Sequence, residues 1–224
     1  MHKPFLYLLI FLTIFSCKSK SQNTLDKVKA QTLIIETLPT FSAFLTLQSK
    51  NQDSAKRLSK TLIDRYLKIF YTDTTNKTVG DFLADCFTYN KEYEKAIYWD
   101  RHQLLVNTKT LDKKVYFENL ANIYLRIGNL DSCKLYFEKV FILEKGLGYQ
   151  EQIQIVENFK RFADNIYFNE NREDLNILNY KVTSACQYSV DILKFILPYS
   201  KDTKVFLRNS FSEDTIIERQ KNCR

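Results

Sequence analysis

The middle of the chain constrains the fold most, because it carries two consecutive pairs of amphipathic segments. Apolar residues recur in each segment at three- and four-residue spacing, which predicts a helix with one buried face. The four predicted helices span residues 79–89, 93–107, 113–126 and 131–145. Short turns at Asn90-Lys91 and Gly128-Asn129 separate the helices of each pair. We therefore predict two helix–turn–helix units in tandem, a pattern typical of helical repeats.

Glycine and proline are scarce, with four and three copies among 224 residues. Sheets with many tight turns need both residues, whereas helices joined by short loops need few, so the composition predicts an all-α protein. Further helices are expected at 25–38, 40–48, 53–71, 150–168, from about 173 to 197, and 213–221. Pro39 and Pro198 are expected to end helices. The turn Asn51-Gln52-Asp53 is expected to provide a capping side chain for the helix that follows, and Ser212 is expected to cap the helix at 213–221.

The two central units can be aligned residue by residue. The first unit reads Gly80-x2-Leu83-Ala84-x2-Phe87, then Ala96 and Asp100, and the second reads Phe117-x2-Leu120-Ala121-x2-Tyr124, then Cys133 and Phe137. In both units a small residue of the first helix precedes a small residue of the second by twelve positions, which suits closely packed helices. These units resemble the tetratricopeptide repeat, whose pattern is W-x2-L-G-x2-Y followed by A-x3-F.

The resemblance covers about 78–145 and implies antiparallel helix pairs stacked as a short right-handed solenoid. The sequence departs from the family at several points, because Asp100 replaces an aromatic residue and Cys133 an alanine. The repeat step from Ala84 to Ala121 is 37 residues, longer than the family's step of about 34. A generic helical bundle remains the alternative.

The amino terminus has the features of an export signal. Residues 5–15 are apolar except for Thr13, and this run is shorter than the roughly 20 residues needed to span a bilayer. It ends at Ser16-Cys17 and resembles the lipobox of bacterial lipoproteins, in which the cysteine is acylated and becomes the first mature residue. We expect a signal peptide at 1–16, a lipidated flexible tether at 17–24 and a repeat domain at 25–224. A simple secretory signal or an uncleaved anchor is the alternative.

The sequence around the expected cleavage site, SCKSKS at 16–21, looks like those of Bacteroidota lipoproteins. No acidic run of the kind that directs such lipoproteins to the cell surface follows Cys17. We therefore expect an outer-membrane lipoprotein that faces the periplasm and is attached to the membrane through Cys17.

Charge and cysteine usage narrow the function further. The net charge of +7 is modest and interleaved with acidic residues, so nucleic acid is not an expected partner. The four cysteines other than Cys17 show no metal-binding spacing. Cys86 and Cys133 fall on apolar helix faces and are expected to be buried. A disulfide between Cys186 and Cys223 is compatible with an oxidising compartment but is not decided by the sequence.

No catalytic, cofactor-binding or metal-binding residues are predicted. His102 is the one histidine after the signal segment, and a lone helical histidine is more often a packing or surface residue than a base. The chain contains neither a G-x-S-x-G motif nor a glycine-rich phosphate loop. We therefore expect a protein that is not an enzyme and has no small-molecule substrate.

The family resemblance also implies a binding groove. In tetratricopeptide arrays the first helix of each unit lines a concave surface, where an extended peptide binds. The corresponding positions here are Asp81, Asp85, Tyr89, Glu118, Asn122 and Arg126. Because Asp81 and Glu118 are acidic where lysine would hold a peptide carboxylate, we expect a basic or neutral ligand segment. A solvated helix surface is the alternative interpretation.

Two functional hypotheses follow. The first is a membrane-anchored, non-catalytic scaffold that binds a protein or peptide partner at the cell envelope. The second is a helical lipoprotein that acts as an inhibitor or immunity protein. The basic face formed by Lys56, Lys60, Arg65 and Lys68 is either an ordinary solvated helix surface or a contact with the membrane or an acidic partner.

Overall fold

The computed structural model describes residues 3–107, 109–144, 149–169, 185–202 and 212–223. The side chains of 3–22 and of a few residues at helix ends are outside that description. Within the described ranges every regular element is an α-helix and no β-strand occurs, so the expected all-α class is confirmed there. The helices are α1 (Lys3–Leu47), α2 (Gln52–Thr72), α3 (Lys77–Tyr89), α4 (Tyr93–Val106), α5 (Thr110–Arg126), α6 (Leu130–Glu144), α7 (Tyr149–Asn169), α8 (Ala185–Asp202) and α9 (Glu213–Asn222).

The predicted ends at the two prolines are wrong, because α1 continues through Pro39 and α8 continues through Pro198. A proline inside a helix removes one hydrogen bond and costs about 3 kcal/mol. Both prolines are exposed, so water can reach the carbonyl that each one leaves unbonded. Buried residues on both sides, such as Ile34 and Phe44 around Pro39, hold α1 together.

Residues 17–24, the expected flexible tether, are helical and belong to α1. Neither glycine nor proline occurs between residues 5 and 38, so nothing in this stretch interrupts helix propagation. The first part of the helix predicted from about 173 to 197, residues 173–184, lies outside the described residues.

The first compact unit contains α1 to α4 and ends at Val106. Each helix in it packs on the next one along the chain. Its core includes Phe44, Leu62, Tyr66 and Leu83, all completely buried. Burial of side chains of this size contributes about 1.5–3 kcal/mol each, which makes this apolar core the main stabilising element of the unit.

The second unit runs from Asn107 and contains α5 to α9, with each helix again packed on its neighbour in the chain. Aromatic rings from three helices meet around Phe137, which is completely buried. Its ring centroid lies 4.7 Å from that of Phe159 and 5.0 Å from those of Phe195 and Tyr199. These edge-to-face contacts join α6, α7 and α8.

The 37-residue repeat of the sequence is also a repeat of burial. Ten residues that are buried in α3 and α4 have buried equivalents 37 positions later in α5 and α6. The equivalent pairs are Val79 and Tyr116, Leu83 and Leu120, Ala84 and Ala121, Cys86 and Ile123, Phe87 and Tyr124, Tyr93 and Leu130, Ala96 and Cys133, Trp99 and Tyr136, Asp100 and Phe137, and Gln103 and Val140. The small residues predicted at close helix contacts are thus buried in both units.

The turns of the two pairs have the same backbone hydrogen bonds. In the first, the amide of Glu92 donates to the carbonyl of Phe87 and the amide of Lys91 donates to that of Thr88. In the second, Asn129 donates to Tyr124, and Gly128 to Leu125. This pattern is a Schellman motif, which needs one residue in the left-handed region. That residue is Lys91 (φ 61°) in the first turn and Gly128 (φ 76°) in the second.

The cysteines have two different roles. Cys86 and Cys133 are buried and unbonded, as predicted, and burial raises the pKa of the Cys86 thiol to about 12. Cys186 and Cys223 form a disulfide, which settles the question that the sequence leaves open. The bond connects the start of α8 to the end of α9, across 37 residues.

An ion-pair cluster also holds α9 in place. The Arg219 guanidinium lies 2.7 Å from Asp164 of α7 and stacks 4.6 Å from the centre of the Tyr167 ring. Lys160 contacts the other oxygen of Asp164 at 2.7 Å. Ser212 caps α9 by accepting a hydrogen bond from the amide of Thr215, as the sequence predicts. The cap of α2 by Asn51 is likewise confirmed, since its side chain accepts from the amide of Ser54.

The two turns allow a matched test of the left-handed positions. We expect Lys91→Gly to stabilise the protein by about 0.5–1 kcal/mol, because glycine adopts positive φ without the steric penalty of a side chain. Gly128→Ala should destabilise it by about 1 kcal/mol for the same reason. Chemical denaturation of both variants measures the difference. Lys91→Ala is the control, because it removes the long side chain and keeps the strain; equal stabilisation by Ala and Gly would contradict the explanation.

Because of the disulfide, we expect the thermal stability of the protein to depend on redox conditions. Closing a loop of this length stabilises a protein by about 3–4 kcal/mol in the chain-entropy account. We expect a reductant to lower the melting temperature of the wild type to that of a Cys186→Ser/Cys223→Ser variant, whose own melting is unaffected. A wild type that melts at the same temperature with and without reductant would contradict a structural role for this bond.

Candidate functional site

The six residues expected to line a groove form two rows, one on each of two helices. Asp81, Asp85 and Tyr89 lie one turn apart on α3, in the first unit. Glu118, Asn122 and Arg126 are each 37 positions later and lie one turn apart on α5, in the second unit. Both rows therefore have the same one-turn spacing along a helix, and each row belongs to its own unit.

The face of α3 opposite the acidic residues fixes the orientation of the first row. Val79, Leu83 and Phe87 are buried in the core, which turns Asp81 and Asp85 away from it. Asp81 is half-buried and Asp85 is exposed.

Tyr89, at the end of the row, makes contacts within the unit. Its hydroxyl lies 3.4 Å from the carbonyl oxygen of Gln52 at the start of α2, and its ring packs edge-on against Phe44 of α1, with the ring centroids 5.1 Å apart. Tyr89 therefore joins α3 to both preceding helices and positions the acidic part of the row.

Asp81 and Asp85 are electrostatically unfavourable neighbours. The pKa of Asp85 is raised to about 6, first because surrounding protein atoms displace water and second because the carboxylate of Asp81 repels its negative charge. The side chain is nevertheless exposed, so solvent screens part of this effect. A positively charged group placed beside the two carboxylates would relieve the repulsion.

An aromatic cluster lies beneath this acidic pair. The ring of Tyr66 on α2 stacks on Phe82 of α3, with centroids 4.9 Å apart, and Phe41 of α1 packs edge-on against Phe82 at 4.6 Å. The Tyr66 hydroxyl is completely buried and makes no hydrogen bond within the described part of the chain. Its pKa is raised by burial and then by the neighbouring Cys86 and Asp85.

The sequence places Tyr66 in the helix predicted at 53–71 and gives no sign of its relation to Asp85. The two residues are on different helices, so no spacing along the chain reports their proximity.

The second row has a different chemical character. Glu118 and Asn122 are half-buried and Arg126 is exposed. Leu120, Ala121 and Tyr124 are buried and hold α5 in the core of its unit. At the end of α5, the hydroxyl of Tyr188 donates a 2.7 Å hydrogen bond to the carbonyl of Leu125, one of the terminal carbonyls that the helix itself leaves unpaired. The second row thus contains one acidic, one neutral and one basic side chain, and the packing of α5 fixes its position.

The His102 side chain is surrounded by aromatic rings. Its ring centroid is 5.6 Å from those of Phe70 and Trp99, and 6.5 Å from that of Tyr98. These contacts agree with its interpretation as a packing residue. Within the described ranges no three His, Cys, Asp or Glu side chains are grouped closely enough to hold a metal ion.

The basic face of α2 is exposed as expected, at Lys56, Lys60, Arg65 and Lys68. A cleft of about 320 Å³ lies between α1 and this helix. It is lined by Leu33, Glu36, Thr37, Arg65, Lys68 and Ile69. The guanidinium of Arg65 donates a 2.9 Å hydrogen bond to the Thr40 hydroxyl across the helix pair. Because Glu36 and the nearby Asp53 and Asp64 interrupt the cations, this face is not a continuous anion-binding surface.

The expected lipidation residue, Cys17, falls within α1. Judged over the residues that the structure describes, none of the helices has the length and apolar character needed to cross a membrane.

A scan of protein-family models and a search of curated proteins found no match to this chain. Its function therefore has to be inferred from its own residues and their geometry.

The repulsion at the acidic pair predicts a pH-dependent effect of Asp85→Asn. The folded-state pKa of about 6 is above the ordinary value of 3.8, so ionising Asp85 costs stability as the pH rises from about 4 through 6. We expect Asp85→Asn to stabilise the protein by about 1 kcal/mol at pH 8, which allows for solvent screening, and to have no effect at pH 4.

Urea denaturation at both pH values measures this difference, with exposed Asp64→Asn on α2 as the control. A gain of equal size at pH 4 and pH 8 would show that the effect is not electrostatic.

Proposed function

We propose that this protein is a membrane-anchored lipoprotein whose stacked helix pairs form a tetratricopeptide-like, non-catalytic module that binds a protein or peptide partner at the cell envelope. The observation that carries the module is the 37-residue equivalence of α3–α4 and α5–α6. Ten pairs of buried positions and the hydrogen bonds of both turns recur at this step. Such repetition is what stacking of like units requires, because each unit must present the same apolar faces to its neighbours.

The acidic pair on α3 supports a ligand segment with positive charge. Asp81 and Asp85 are kept close together although their charges repel and the pKa of Asp85 is raised. Proteins maintain unfavourable charge arrangements at functional sites more often than elsewhere. A lysine or arginine side chain of the partner would form a charge-assisted hydrogen bond there and lower the pKa of Asp85.

Three observations support export and anchoring. The sequence at Ser16-Cys17 resembles a lipobox after an apolar run. The disulfide between Cys186 and Cys223 suits an oxidising compartment such as the periplasm. The two free thiols, Cys86 and Cys133, are both buried, and burial raises the pKa of each, which protects them from oxidation in such a compartment. We propose the periplasmic face of the outer membrane as the location.

Acylation is tested by mass spectrometry and membrane fractionation of the chain produced in a bacterial host. We expect the mature protein to begin at a diacylated Cys17 and to sediment with membranes. Cys17→Ala should leave the membrane fraction, because an anchored protein needs its acyl chains for stable attachment. An unmodified Cys17, or cleavage at another position, would overturn the anchoring part of the proposal.

The binding role is tested by crosslinked capture from the envelope, with the acylated wild type compared with Asp81→Asn/Asp85→Asn. We expect the double variant to lose most of the captured partner, since neutral side chains no longer attract its cationic group. The control is Asp64→Asn/Asp131→Asn, which removes two exposed carboxylates elsewhere. Equal capture by all three proteins would exclude the acidic pair from partner binding.

A further inference from the structure

The described part of α1 exposes an unusual amount of apolar surface. Ala30, Ile34 and Phe44 on one side of the helix are buried in the first unit. On a face that the neighbouring helices leave uncovered, large apolar side chains are about half exposed or more: Leu25 (62%), Val28 (59%), Ile35 (59%), Leu38 (46%) and Leu45 (50%). A solvated helix normally carries polar residues on its outer face.

Four of these five apolar residues form one stripe along the helix. With about 100° of rotation per residue, Val28, Ile35, Leu38 and Leu45 fall within an arc of roughly 100°. Leu25 lies about 60° outside this arc and does not belong to the stripe. The residues between them on the same face, such as Gln31 and Ser42, are polar but uncharged.

The stripe also has a distinct charge environment. Asp26 and Glu36 are the acidic residues between positions 23 and 47, and by the same rotation both lie more than about 90° from the middle of the stripe. Lys27 lies at its border. A surface of this kind is compatible with anionic lipid headgroups and repels none of them.

The position of Cys17 relates this stripe to the proposed anchor. The α1 backbone is continuous from residue 17 to residue 47. Cys17 is eighteen residues before Ile35, which corresponds to five turns of an α-helix, so both positions lie on the same face. The proposed lipidation position and the exposed apolar stripe thus share one face of a single helix by register.

We propose that the outer face of α1 lies along the surface of a phospholipid membrane, with the apolar stripe in the interfacial region beside the acylated Cys17. This inference rests on the proposed lipid anchor and extends it, because one helix then sets the orientation of the first unit. Helices of this type bury their apolar face about 5–10 Å into the headgroup region.

The stripe suits a membrane better than a second copy of the chain. A helix dimer along this face would follow a seam through Val28, Gln31, Ile35, Leu38, Ser42 and Leu45. Gln31 and Ser42 would then be enclosed between two helices, where polar groups need partners. At a membrane interface the same side chains remain in contact with headgroups and water.

The depth of the stripe is tested with acylated protein in vesicles of phosphatidylethanolamine and phosphatidylglycerol that carry brominated acyl chains. Ile35→Trp is compared with Lys29→Trp, which lies off the stripe on the same helix. We expect strong fluorescence quenching for Ile35→Trp and none for Lys29→Trp, after subtraction of the signal of buried Trp99. Equal quenching of the two tryptophans, or of neither, overturns the proposal.

A second measurement separates the stripe from the anchor. The mature chain with Cys17→Ser is floated with the same vesicles without bromine. We expect Val28→Ser/Ile35→Ser to lower the partition coefficient about tenfold, since both side chains lose apolar contact. Leu135→Ser/Ile142→Ser is the matched control, because these residues are also seven apart and exposed (50% and 69%) but lie on α6.

The alternatives give different results. Unchanged binding by the stripe variant, or equal loss by the control, overturns the membrane contact. A stripe variant that changes the sedimentation of the free protein from dimer to monomer, with unchanged vesicle binding, assigns the stripe to a second copy. Failure of acylation at Cys17 would instead appear in the mass spectrum. The flotation result would not be affected by it, because that experiment uses the Cys17→Ser chain.

Discussion

Close antiparallel packing of consecutive helices is the constraint on which this structure depends. Small side chains at Ala84, Ala96, Ala121 and Cys133 are buried where paired helices meet. Larger side chains around them, such as Leu83 and Leu120, fill the remaining space. The turns must reverse the chain within about three residues for these positions to face one another, which is why each contains a residue at positive φ. The repetition of this arrangement supports the proposed interaction module.

Electrostatics distinguish the two units more than packing does. The first unit keeps two acidic residues together over a buried tyrosine hydroxyl that has no hydrogen bond in the described chain. In the second unit two buried hydroxyls are paired, since Tyr188 donates to Leu125 and Ser189 donates to Ala163. The unfavourable charge pair on α3 is the feature on which the proposed ligand site rests.

Much of the fold could be predicted from the sequence because the governing interactions are local. Helical periodicity located α2 to α7 to within a few residues, and side-chain caps at Asn51 and Ser212 lie where they were expected. The two prolines were misjudged, since their effect depends on whether the freed carbonyl faces water or the core. The site was predicted only as rows on single helices. The sequence shows that Asp81 and Asp85 are one turn apart, but the burial of Tyr66 and the burial that raises the pKa of Asp85 depend on packing, which spacing along the chain does not encode.

The sequence by itself determined the all-helical class of the described chain, the pairing of helices and the 37-residue equivalence, because periodicity and turn residues act over a few positions. Only the tertiary structure decided that Cys186 and Cys223 are bonded, that Asp85 is desolvated beside Asp81, and that α1 leaves an apolar face uncovered. These properties depend on which surfaces meet in space and how much water they exclude. The sequence pattern indicates which side chains can make such contacts, and the packing of the helices determines which of these contacts form.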